Sequence, residues 1–213
     1  MKAKRIVTYS SLEENLNVWS HAAGVLLSLL GLILLIVKAA HQSASTLHWV
    51  AYLIYGVSQV AVFTASTLYH SSQNENLRRR LNVFDHTAIY LSIAGSYTPF
   101  TLVFIQGAWG WSIFGSAWLI AIAGIVLKLF YTGRFRLLST ISYVVMGWII
   151  VVAIDPLIKS VPFSQLMWIL AGGIFYTLGA ALYQVKRIPY NHAIFHFFVL
   201  AGAIAIFIAI YTY

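Results

Sequence analysis

Seven unbroken apolar stretches, each about the length of a bilayer crossing, divide this chain of 213 residues. They cover about 20–39, 48–70, 84–105, 109–131, 137–154, 164–185 and 192–212. A helix needs roughly 20 apolar residues to cross the hydrocarbon core. Backbone groups in lipid must pair within the protein, which leaves helices or closed barrels. These runs are continuous and lack the period-two alternation of barrel strands. The expected fold is all-α and integral to the membrane: a seven-transmembrane helix bundle, with residues 1–213 as a single domain. Composition agrees. Only 8% of the residues are charged and 61% are hydrophobic, against about 25% charged in a soluble domain.

The formal net charge is +8, but the cations come in small groups between apolar runs. They read as topology signals and contacts to anionic headgroups, so membrane lipids are the expected partners and nucleic acid is not. Lys2, Lys4, Arg5, Arg78, Arg79, Arg80, Lys128, Arg134, Arg136, Lys186 and Arg187 fall on one side, and Lys38 and Lys159 on the other. The positive-inside rule then puts the N-terminus in the cytoplasm and the C-terminus outside. The polar stretch from Thr8 to Asn17 argues against a cleavable signal, and a multi-pass plasma-membrane protein is expected. Pro99 is expected to kink the third span. Asp155-Pro156 reads as a helix stop. Gly172, Gly173 and Gly179 read as points of close helix approach.

On that topology four ionisable residues share one depth. His70 closes the second span, Asp85 opens the third, and His192 and His196 open the seventh, all on the cytoplasmic side. His192 and His196 are four apart and project from one helix face. Ser66 and His70 repeat that spacing, as do Asn17 and His21. With no cysteine in the chain, His and carboxylate are the strong metal ligands available. Three imidazoles with an open fourth position suit a tetrahedral catalytic zinc site. Asp85 is then placed as general base or orienter and Ser66 beside it. A lone histidine near a helix end is ordinarily an interfacial or core residue, and Asp85 could instead pair with an arginine of the second loop. His21 and Asn17 read as supporting or capping residues, and His86 as a contact at the rim. His41 and His48 lie on the outer side, away from the cluster.

The chain resembles the bacterial hemolysin III family, which is related to progestin and adipoQ receptors and, more remotely, to alkaline ceramidases. The resemblance rests on Glu14-Asn15-Leu16-Asn17 with Ser20-His21; Ser66-Thr67-Leu68-Tyr69-His70; Asp85-His86; Gly95-Ser96-Tyr97-Thr98-Pro99-Phe100; and Pro189-Tyr190-Asn191-His192 with His196. It implies a seven-helix bundle holding Zn2+ through His70, His192 and His196 near the cytoplasmic side, with Asp85 at the zinc-bound water and Ser66 beside it. For function it implies either a zinc-dependent hydrolase of a lipid amide or ester, active in membrane-lipid homeostasis, or a receptor-like membrane sensor. The family name adds a third expectation, a cytolysin, although the chain has no amphipathic pore segment.

Overall fold

The computed structural model describes residues 9–213; Lys2, Lys4 and Arg5, which entered the charge count, lie outside them. The described residues are helical almost throughout. The helices are α1 (Ser11–His41), α2 (Thr46–Ser71), α3 (Glu75–Pro99), α4 (Gly107–Tyr131), α5 (Arg136–Gly147), α6 (Ile154–Ser160), α7 (Phe163–Gln184) and α8 (Asn191–Tyr211). A π-helical turn over Phe100–Ile105 extends α3, and a 3-10 turn over Ile149–Ala153 joins α5 to α6. Counted with these turns, seven helices are long and apolar enough to cross a membrane. They form a bundle, and the chain is a multi-pass membrane protein.

Local chemistry sets where the helices begin. Ser10 caps α1 by accepting from the Glu13 backbone N–H at 3.2 Å, with Glu13 and Glu14 in the first turn. Asn74 caps α3 in the same way, accepting from Leu77 N–H at 3.0 Å. These side chains satisfy orphan donors, and the acids favour the positive helix end. Both helices therefore start about nine residues before the apolar runs do, within segments whose composition is polar.

Consecutive spans run antiparallel, with α1 packed on α2 and α8, α2 on α3, α3 on α4 and α7 on α8, while α5 touches α3 and α7 more lightly. The outer surface is apolar, with Phe130 and Phe163 about three-quarters exposed, as suits a lipid-facing side. Gly172 and Gly179 let α7 approach α8, since a Cβ at either would stand 2.8 Å from Ile206 or Phe198. Gly173 faces Trp148 instead. Gly110 packs directly on the Thr101 carbonyl of the π turn.

The two prolines act differently from each other. After Pro99 the helix widens into the π turn, and the Thr98 and Thr101 hydroxyls donate to the carbonyls of Ala94 and Tyr97 at 3.0 and 2.9 Å. Asp155-Pro156 does not end its span. It lies in the first turn of α6, and the helix breaks upstream, over Trp148–Ala153. Proline tolerates a first turn, where its missing N–H is no loss, but clashes with the carbonyl four residues back. Tyr97 repairs the break: its hydroxyl donates to the Gly147 carbonyl at 2.7 Å and accepts from Ile150 N–H at 3.1 Å. Freed backbone groups at membrane depth need such partners.

Candidate metal centre

The antiparallel order brings the start of α1, the end of α2 and the start of α8 to one end of the bundle. There His70, His192 and His196 meet, all at most 9% exposed. His192 Nε2 lies 3.1 Å from His70 Nε2 and 3.1 Å from His196 Nε2. The spacing His192-x3-His196 supplies two of these nitrogens from one helix face, as expected, and His70 supplies the third from across the bundle.

Hydrogen bonds on the far side of the rings fix what the converging nitrogens can do. His70 Nδ1 donates to Glu14 Oε2 at 2.7 Å, with the Asn17 amide 3.4 Å away. His196 Nδ1 lies 3.3 Å from the Asn17 carbonyl oxygen and 3.4 Å from the Ser20 hydroxyl. A carboxylate and a carbonyl only accept, so both Nδ1 atoms carry the proton and both Nε2 atoms present lone pairs. Lone pairs aimed at a common point call for a cation. Nitrogens bound tetrahedrally at roughly 2.0–2.1 Å stand about 3.4 Å apart, close to the spacing found here. The three histidines could therefore hold a metal ion.

The surroundings hold the rings in place. Glu14 is braced in turn by the Arg78 guanidinium. The His21 ring stacks on His196 at 3.7 Å between centroids, and neither His21 nitrogen has a polar partner among the described residues. Tyr9 stacks on His192 at 4.7 Å. Burial raises the Tyr9 phenol above its ordinary pKa, which keeps it neutral. Glu13 accepts from the His192 backbone N–H at 3.4 Å, placing a carboxylate at the start of α8, whose own residues supply no cap.

Asp85 and Ser66 line a cavity of about 800 Å³ together with His192 and His196. Asp85 pairs with no arginine among the described residues. Arg78 serves Glu14 and Arg79 holds Glu75 at 2.5 Å. The Asp85 side chain is 14% exposed and lies 3.7 Å from His86 Nδ1, but that nitrogen donates to the Asn82 carbonyl at 2.8 Å. Its carboxylate is thus left facing the cavity. His41 and His48 sit at the opposite end of α1 and α2.

Sequence reasoning gave Glu14, Glu13 and Tyr9 no role at the site, although Glu14 stands in the motif that carries the family resemblance. One signal was available for Glu14: with Asn17 and His21 it falls on a single helical face at spacings of three and four. A carboxylate holding the outer nitrogen of a metal-binding imidazole raises its basicity, and losing it typically costs 10–100-fold in affinity. Glu14→Gln is accordingly expected to weaken metal binding about 10–100-fold in competition with a chelator, with the helical content unchanged.

Comparison with known proteins agrees with this architecture. Residues 9–207 match the model of the family described as Haemolysin-III related. The chain is 42% identical over 202 residues to Hemolysin-3 of Bacillus cereus, covering 94% of this chain and 91% of that protein. It is 41% identical over 203 residues to the Hemolysin-3 homolog of Bacillus subtilis (strain 168), covering 94% of each. The Monocyte to macrophage differentiation factor of Homo sapiens is 28% identical over 166 residues, 75% of this chain and 68% of that protein. With seven spans, a buried histidine triad and a family match over nearly its whole length, the chain belongs to the haemolysin-III related family.

Proposed function

We propose that the protein is a zinc-dependent hydrolase of a lipid amide or ester, acting at the inner leaflet in membrane-lipid homeostasis. The observation that carries this reading is one cavity lined by His192 and His196 of the converging triad and by an arginine-free carboxylate, Asp85. His70, His192 and His196 are the ligands, and three protein ligands leave a position open for chemistry. Zinc bound there supplies Lewis acidity toward a carbonyl oxygen. Asp85 accepts a proton from the attacking water and returns it to the departing amine or alcohol, and Ser66 donates to the developing oxyanion. Glu14 and Asn17 keep the His70 and His196 tautomers fixed. The apolar cavity admits an acyl chain from the bilayer and keeps bulk water out. The positive-inside rule assigns this end to the cytoplasm.

Asp85→Asn tests the assignment. The variant is expected to keep its zinc and lose about 10²–10⁴-fold in lipid turnover, read as metal per chain together with the lipid profile of cells producing it. Full biological activity in an Asp85→Asn protein that still holds zinc would instead identify a membrane sensor. Dose-dependent leakage of dye-loaded vesicles by the purified protein, equal in the two forms, would identify a cytolysin.

A further inference from the structure

Lys128 is a buried cation without an anion. It lies one turn from the end of α4, where a lysine on a membrane helix ordinarily extends toward the headgroups. Here it is 5% exposed. Its ammonium donates to the Ser139 hydroxyl of α5 and stands 5.8 Å from the centre of the Tyr143 ring. No carboxylate among the described residues lies within ion-pair distance of it. Burying an ammonium is costly unless an opposite charge accompanies it.

Arg136 opens α5 at the rim of the same cavity and also has no carboxylate partner among the described residues. Both cations stand within electrostatic reach of His86. No side chain caps the α5 N-terminus, which adds the positive end of a helix dipole. Asp85 is the one carboxylate among the cavity's described lining residues, and it faces the cavity from α3. Beyond this charged mouth the walls are mainly apolar, reaching Leu157 and Leu166 toward the opposite end of the bundle. The volume of about 800 Å³ falls in the range of roughly 300–1,000 Å³ that holds organic ligands.

We infer that the mouth of this cavity binds the anionic headgroup of a lipid, with Lys128 and Arg136 as its counter-ions and an acyl chain along the apolar length. The shared chemistry is a phosphate or carboxylate oxygen, and the apolar depth favours a lipid as its carrier. This builds on the hydrolase reading and names its substrate class, an acidic lipid in place of a neutral one. The ordered arrangement is headgroup against α4 and α5, with Asp85 on α3 between it and the histidines of α2 and α8.

The test uses the full-length protein, purified with its metal in neutral detergent. It is titrated with short-chain phosphatidylglycerol, short-chain phosphatidylcholine and inorganic phosphate, and binding is read calorimetrically. The phosphatidylglycerol is expected to bind about ten-fold or more tightly than the phosphatidylcholine. Lys128→Met with Arg136→Met is expected to remove that preference, and Lys128→Arg to keep it, with metal content unchanged in all. Equal affinity of the wild-type protein for the two lipids would overturn the inference, and that result needs no variant to fold. A preference surviving in the double variant would overturn it as well. Displacement of phosphatidylglycerol by inorganic phosphate at equal concentration would assign the site to a soluble anion and reject the lipid headgroup. Absence of lipid turnover, with the binding preference intact, would defeat the hydrolase reading and leave this one standing.

Discussion

His192→Ala is expected to empty the metal centre. Elemental analysis should find about one metal ion per chain in the wild-type protein and less than about a tenth of that in the variant. His192 Nε2 is the middle nitrogen of the three, 3.1 Å from each of the others. Its removal leaves His70 and His196 on different helices with no donor between them. Loss of a supporting hydrogen bond alone costs 10–100-fold in metal affinity, and loss of a ligand should exceed about 100-fold. The bundle itself should persist, because the triad occupies one end and the apolar core clusters extend to the other. His41→Ala, at the exposed end of α1, should leave the metal in place. An undiminished metal content in His192→Ala would dismiss the triad as the binding site.

Gly110→Ala should produce the largest loss of stability of any single methyl addition proposed here. A Cβ at Gly110 would lie 2.2 Å from the Thr101 carbonyl oxygen and 3.2 Å from its carbon. Those are backbone atoms, so no rotamer change relieves the clash. The carbonyl is also engaged, accepting from Gln106 N–H at 3.0 Å to close the π turn. Relief requires α4 to move from the end of the third span. Overpacking of this kind costs about 1–3 kcal/mol, or a fall of roughly 2–12 °C in unfolding temperature. Gly115 on the same helix has nothing within 4 Å of its would-be Cβ. Gly115→Ala should match or slightly exceed wild-type stability, since alanine favours a helix by about 1 kcal/mol. Equal unfolding temperatures for the two variants would contradict the close approach at Thr101.

The parts legible in the sequence were those that depend on local pattern. Seven apolar runs became seven spans because continuous hydrophobicity reports the solvent a helix faces. His192 and His196 could be paired because four residues separate them on one helix, and antiparallel alternation carried His70 to the same end. The partner of a side chain across the bundle left no such trace. Glu14 sits where an acid is expected to favour a helix N-terminus, so its contact with His70 was hidden behind an ordinary role. Lys128 counted as one more cation on the positive side, and nothing local distinguishes a lysine extending outward from one turned inward. Span five was misread at Asp155-Pro156 for a related reason. Proline marks a disruption, but its steric effect falls four residues upstream, and the hydroxyl that repairs it comes from Tyr97 of another helix.

The donor set has a consequence for biosynthesis. Two of the three imidazoles belong to α8, which leaves the ribosome after the other described helices, while the groups that orient the rings come from α1, which leaves before them. A nascent chain halted before Asn191 would carry His70 alone and could not retain the ion. Metal uptake at this triad would therefore mark the moment when α1, α2 and α8 have found one another.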